Sequence, residues 1–223
     1  FQYYGNGVNT TGLFTPTIAG VGTYPIKAVY TSNKGCQDSV TRNITVWPSP
    51  IAKFGISSPV CEKNALTFTD SSVANFSNIV TWNYNFGDAT NLTRTNANVF
   101  TKTYANSNTY NATLKVTTDS GCVSPIFTKT IKVNYLPLVN FSLPEICLPD
   151  GRGTFTNSSS IPDNTDALFT YNWNFGDAAN TTPSVLKSPT HQYSALAPSG
   201  GYLVKLKVTS NNSCVDSLTK FFS

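Results

Sequence analysis

Trp82-Asn83-Tyr84-Asn85-Phe86-Gly87-Asp88 recurs 89 residues later as Tyr171-Asn172-Trp173-Asn174-Phe175-Gly176-Asp177. Both copies alternate apolar and polar residues. Val80, Trp82, Tyr84 and Phe86 fall on one face, and Thr81, Asn83 and Asn85 on the other. In the second copy Phe169, Tyr171, Trp173 and Phe175 oppose Thr170, Asn172 and Asn174. A period of two over seven or eight residues predicts a half-buried β-strand with its aromatics in the core. Gly-Asp then ends the strand, because glycine tolerates positive φ and aspartate caps turn backbone.

The rest of the chain repeats around these strands. Phe141 matches Phe54, Cys147 matches Cys61, Phe155 matches Phe68, and Tyr193 matches Tyr104. Tyr202, Val204, Leu206 and Val208 match Tyr110, Ala112, Leu114 and Val116. Cys36, Cys122 and Cys214 give periods of 86 and 92 residues. About seven short strands per period, with turn signals between them, predict an all-β chain of tandem β-sandwiches. Pro48-Ser49-Pro50 and Leu136-Pro137 read as stiff joints. The expected units are a partial domain over 1–47, one domain over 48–136 and another over 137–223. The first has too few residues for its own sandwich core, and the last strand of the third is expected to be shortened. Ala19-Gly20-Val21-Gly22 reads as a turn, and residues 89–98 as a loop or weak edge strand.

Composition narrows the function. Of 223 residues only 12% are charged, with one His and no Met; charged residues normally make up about a quarter of a globular chain. A surface of Thr, Ser and Asn suits an extracellular β-protein. The net charge of +4 is spread without a basic run, which argues against nucleic acid as a partner. No stretch reads as a signal peptide or a membrane-inserting segment. The chain reads as a mature or partial product.

Trp-x-Tyr-x-Phe-Gly-Asp at 82–88, Tyr-x-Trp-x-Phe-Gly-Asp at 171–177, Ser188-Pro189-Thr190-His191-Gln192-Tyr193 and the following Gly201–Val208 resemble the PKD (polycystic kidney disease) family of Ig-like sandwiches. The resemblance covers residues 51–223. It departs at Ala89 and Ala178, where the family usually has Gly, and at Lys102, which stands where His191 stands in the second unit. Residues 1–47, with Gly5-x-Gly7-Val8, Phe14-x-Pro16 and Ala19-Gly20-x-Gly22-Thr23, are similar to the Ig-like repeats that accompany PKD units in Bacteroidota. Many such proteins are large surface adhesins or secreted hydrolases exported by the type IX system, some linked to gliding.

Catalytic and metal chemistry find little support. His191 is the sole histidine; a metal site needs further ligands and a triad needs an oriented partner. A structural role in the Pro-x-His-x-Tyr strand fits it better. Asp88 and Asp177 lack the neighbouring carboxylates of a calcium loop, so turn-capping is expected of them. No catalytic residue, metal ligand or cofactor is assigned.

Five cysteines in such a chain suggest an oxidising compartment. Two pairings are open. The intra-domain one joins Cys61 to Cys122 and Cys147 to Cys214. In an Ig-like order, however, those positions lie at opposite poles, on the order of 25 Å apart at about 3.3 Å per residue, and a disulfide needs Cα atoms within about 7 Å. An inter-domain Cys61–Cys214 bond is therefore favoured. The partners of Cys36 and Cys122 would then lie before Phe1, and that of Cys147 after Ser223. Asp38-Ser39-Val40 and Asp216-Ser217-Leu218 resemble the O-glycosylation signal of Bacteroidota, with Ser39 and Ser217 as acceptors; a simple Asx turn is the alternative.

The expected function is a non-catalytic stalk or filament segment of a large secreted or surface-anchored adhesin, an elongated rod of tandem domains. Its expected partners are neighbouring domains of the same chain, identical chains in a fibre, and polysaccharide or other surfaces. The alternative is an accessory substrate-binding module of a secreted protease or polysaccharide hydrolase. Trp47 and Tyr135 are the aromatics that would serve it if exposed.

Overall fold

The computed structural model describes residues 1–146, 150–193 and 201–222. The chain opens with one antiparallel sheet in the order β1-β2-β3, from strands Gln2–Tyr4 (β1), Gly22–Thr31 (β2) and Gln37–Val46 (β3). The turn expected at Ala19–Gly22 includes the end of a one-turn helix, Pro16–Ala19, closed by Gly20 at a φ of 81°. Within residues 1–47 the only buried side chain is Ala19, as expected of a sheet with no second sheet against it.

The first sandwich has seven strands. They are Phe54–Ile56 (β4), Ala65–Asp70 (β5), Ile79–Asn85 (β6), Asn91–Arg94 (β7), Phe100–Thr103 (β8), Asn108–Thr118 (β9) and Phe127–Val133 (β10). One sheet runs β4-β5-β8 and the other β10-β9-β6-β7. The Asn- and Thr-rich stretch after Gly-Asp thus holds a true edge strand, β7, with Asn83 opposite Thr93. Phe54, Phe68, Trp82, Tyr84, Phe86, Leu114 and Val116 fill the space between the sheets. Phe54 and Phe68 meet at 5.4 Å, as do Phe68 and Phe86. Burying a Phe side chain is worth roughly 1.5–3 kcal/mol.

Val80 departs from the expected face. The register slips between Ile79 and Thr81, so Ile79 packs on the core and Val80 is 40% exposed. A bulge of this kind resets the alternation at a strand end.

The second sandwich repeats the plan with Phe141–Ser142 (β11), Arg152–Thr154 (β12), Thr156–Asn157 (β13), Thr170–Asn174 (β14), Thr190–Gln192 (β15), Tyr202–Thr209 (β16) and Val215–Phe222 (β17). β12 and β13 flank the fully buried Phe155 and pair with β15 and β11 respectively; the other sheet runs β14-β16-β17. The equivalent of β7 shrinks to a single bridge, Trp173 opposite Ser184. β17 pairs along all of β16, from Tyr202 opposite Phe222 to Thr209 opposite Val215. It has eight residues, against seven in β10 and ten in β3. Phe141, Phe155, Trp173, Phe175, Val204, Leu206 and Val208 form the second core. No helix among the described residues is long and apolar enough to cross a membrane.

Candidate functional site

The Gly-Asp turns are built alike in both sandwiches. Gly87 and Gly176 sit at φ of 78° and 69°. A Cβ on Gly87 would lie 2.9 Å from the Asn111 backbone, and one on Gly176 2.7 Å from that of Leu203, so only glycine fits. The Gly87 N–H donates to Asn85 Oδ1 at 2.8 Å and the Gly176 N–H to Asn174 Oδ1 at 2.9 Å. Asp88 Oδ1 accepts from the Thr90 N–H at 3.1 Å, and Asp177 Oδ1 from the Ala179 N–H at 2.9 Å. Tyr104 and Tyr193 donate their hydroxyls to the carbonyls of Phe86 and Phe175, each at 3.0 Å.

The second carboxylate oxygen of each aspartate meets a basic side chain. In the second sandwich His191 Nε2 lies 3.1 Å from Asp177 Oδ2, both side chains 5% exposed. Asp177 as a carboxylate only accepts, so the ring nitrogen donates. The imidazole stacks on Phe175 at 4.2 Å and meets the Tyr193 ring at 4.5 Å. In the first sandwich Lys102 Nζ lies 2.7 Å from Asp88 Oδ2 and 5.3 Å and 5.4 Å from the centroids of Phe86 and Tyr104. Burial pushes the Asp88 carboxyl up, but hydrogen bonds from Lys102 and Thr90 outweigh it and hold it below its usual value. Lys102 therefore takes the place of His191. The shared spacing of fourteen residues from aspartate to base was the sequence signal for this. Among the described residues no three His, Cys, Asp or Glu side chains gather where they could hold a metal.

The junction between the sandwiches is the most elaborate feature. Cys61 and Cys214 form a disulfide with Cα atoms 5.7 Å apart, and both residues are buried. Cys61 lies just before β5 of the first sandwich, and Cys214 in the β16–β17 hairpin of the second. The bond corrects the intra-domain alternative, since it leaves neither Cys61 for Cys122 nor Cys214 for Cys147. Cys147 itself lies outside the described residues.

Beside the bond, the linker is laced to the loop that carries Cys61. Glu62 N–H donates to Asn134 O at 2.9 Å, and Asn134 N–H and Nδ2 both donate to Val60 O at 3.0 Å. The Glu62 carboxylate accepts from Leu136 N–H at 3.3 Å and from Ser107 N–H at 2.8 Å. No local pattern marks Glu62, because its partners are 45 and 74 residues away.

The remaining candidates fall apart in space. Tyr135, a candidate only if exposed, is half-buried and packs on the second core. Trp47 is 43% exposed and its ring lies 6.2 Å from that of Phe76, itself 64% exposed. Ser39 and Ser217 are exposed on the edge strands β3 and β17. Their N–H groups donate to Asp38 Oδ1 at 2.7 Å and Asp216 Oδ1 at 2.8 Å, and both aspartates lie within a strand. Asn83, Asn85, Asn91, Thr93, Thr113, Lys115 and the exposed Ile126 line a shallow groove of mixed polarity on the outer face of the four-stranded sheet.

The PKD domain family model matches residues 47–135 and again 134–222. Among solved structures the chain is similar to the PKD1 domain of the Vibrio cholerae metalloprotease PrtV, at 27% identity over 39% of this chain and 98% of that one, with a TM-score of 0.34. The PKD1 domain of Vibrio anguillarum Epp aligns at 19% identity over 40% of this chain and 96% of that one, TM-score 0.35. The fibronectin(III)-like modules of Clostridium thermocellum CbhA align at 16% identity over 77% of this chain and 94% of theirs, TM-score 0.37. No curated protein matches the chain as a sequence relative. Two successive matches take in well over half of the residues, and the chain belongs to the PKD domain family.

Proposed function

We propose that this chain is a non-catalytic structural segment of a large secreted or surface-anchored adhesin, in which tandem sandwiches act as a stiff stalk or filament. The Cys61–Cys214 bond, reinforced by the Glu62 clamp on the linker, carries this reading. A covalent tie from one sandwich to the next resists bending at a joint that a short linker alone would leave mobile. An oxidising compartment outside the cell suits the bond, as does the weakly charged, Thr- and Asn-rich surface. Type IX export from a Bacteroidota cell, with glycans on Ser39 and Ser217, belongs to the same proposal; intact-mass measurement of native protein checks the glycans. Neighbouring domains of the same chain are the primary partners, with lateral assembly through the β3 and β17 edges as a route to fibres.

Small-angle scattering of the oxidised and reduced chain tests the stalk. A maximum dimension that stays extended and sharply defined only while oxidised supports it. Equal flexibility in both states overturns it. The exposed Trp47–Phe76 pair favours a second reading, an accessory module that engages insoluble substrate. Co-sedimentation with insoluble polysaccharide or protein that is abolished by Trp47→Ala would move the conclusion to that module.

A further inference from the structure

The charge of this chain is dispersed along the sequence but sorted in space. The strands of the two larger sheets, β6, β7, β9 and β10 in the first sandwich and β14, β16 and β17 in the second, hold seven of the 15 Lys and Arg but one of the 11 Asp and Glu. That acid, Asp216, stands opposite the buried Val208 and so on the core side of its sheet. Strand alternation does the sorting. Lys115, Lys132, Lys205 and Lys207 alternate with the buried residues of β9, β10 and β16, and all four are exposed on the outer faces. Lys115 stands opposite Asn83 and Lys207 opposite Asn172, which are equivalent places in the repeat. Lys205 stands opposite Asn174.

The hydrogen bonds of these faces have the same polarity. Thr93 Oγ1 donates to Asn83 Oδ1 and Thr130 Oγ1 to Asn111 Oδ1, each at 2.9 Å. The Gly87 and Gly176 N–H groups occupy Asn85 Oδ1 and Asn174 Oδ1. Each of the four amides spends its oxygen inside the protein, and its Nδ2 donates to nothing among the described residues. An ammonium group only donates, so a ligand on these faces must bring acceptors and negative charge. The exposed Ile126 borders the groove of the first face, and the exposed Leu203 and Phe221 pair on the second. Apolar chains among donors suit the C–H faces of sugar rings. The charges are also sparse. Lys205 and Lys207 stand roughly 7 Å apart along their strand, whereas duplex DNA carries a charge about every 1.7 Å.

We propose that the outer faces of the two larger sheets bind an anionic polysaccharide, a polymer of carboxylate- or sulfate-bearing sugars. On the first face Lys115 and Lys132 meet its charges, while Asn83 and Asn111 donate to its oxygens. On the second Lys205 and Lys207 meet the charges, with Asn174 as donor. The site is separate from the Trp47–Phe76 pair, and it stands whether or not the chain is a stalk.

The test is titration calorimetry of the oxidised chain with alginate, a uronic-acid polymer, and with dextran, an uncharged one. Alginate is expected to bind, more weakly as salt is raised, and dextran not to bind. One variant carries Lys115→Gln, Lys132→Gln, Lys205→Gln and Lys207→Gln. A second loses the same charge away from these sheets, through Lys27→Gln, Lys34→Gln, Lys53→Gln and Lys187→Gln. All eight lysines are exposed, so both variants should melt like the parent. The first should weaken alginate binding about tenfold or more, because hydrogen bonds between ionised partners are the strong ones. The second should weaken it less than about twofold, since it alters only distant, screened charges. No binding of alginate, equal binding of dextran, or equal loss in the two variants overturns the proposal. So does tighter binding of duplex DNA at the same salt, or alginate binding that Trp47→Ala abolishes and the first variant does not.

Discussion

The Lys102 ammonium lies 2.7 Å from the Asp88 carboxylate, where the second sandwich sets the His191 imidazole 3.1 Å from Asp177. The architecture is shared, but its energetics differ with burial. The Lys102 pair is 18% exposed on both sides and the His191 pair 5%. Lys102→Ala is expected to cost about 1 kcal/mol, as for partly solvated pairs. His191→Ala strands a buried carboxylate and is expected to cost about 3 kcal/mol or more. Urea denaturation of each variant checks the ranking. The Asp88 contribution is present above its ordinary pKa of 3.8 and is lost as pH falls through the lowered folded value. Lys102→Ala should flatten that acid limb.

The alkaline limb belongs to tyrosine. Burial first, and then the Asp70 charge, push Tyr84 up from 10.0 to about 12, against the opposing pull of Arg94. A phenol raised on folding stabilises the native state fully below pH 10, and that stability is lost as pH rises from 10 to about 12. Tyrosinate absorbance should therefore rise together with loss of β-sheet circular dichroism in this window. Burial also raises Tyr104 and Tyr193, which steepens the transition. Tyr84→Phe should make it shallower.

Ala89 sits at a φ of 66°, whereas Ala178 is not among the residues at positive φ. A left-handed non-glycine costs roughly 1–2 kcal/mol, and glycine gives back about 0.5–1 kcal/mol in entropy. Ala89→Gly is expected to stabilise by up to about 1 kcal/mol, and Ala178→Gly to be neutral or destabilising. Paired thermal melts of the two variants decide it.

The disulfide spans 153 residues. Chain entropy alone assigns a loop of that size about 5 kcal/mol. Part of it restrains domain docking, so Cys61→Ser with Cys214→Ser is expected to cost about 3–5 kcal/mol. It should also split one calorimetric transition into two. Glu62→Ala leaves the disulfide in place and frees the Leu136 amide, which should then exchange its hydrogen faster, since a hydrogen bond to a charged acceptor is worth about 1.5–3 kcal/mol.

Different features were legible in the sequence for different reasons. The aromatic positions of 82–86 and 171–175 announced the core because strand periodicity is local and strict. Val80 was misread because the bulge is set by pairing with β9, which no local pattern encodes. Lys102 looked like a departure from His191 because residue type was compared, while the geometry preserves only a side-chain nitrogen donor for the aspartate. The hairpin cysteines were visible as a period. The Glu62 clamp was not, because one carboxylate reaches backbone amides far along the chain.

The path from Cys61 to Cys214 is a covalently closed ring. It takes in the Leu136-Pro137 joint and the polar loops of both sandwiches. A single proteolytic cut anywhere inside it leaves both fragments attached, and nothing is shed until the bond is reduced or a second cut falls outside. A nick there would be damage without severance.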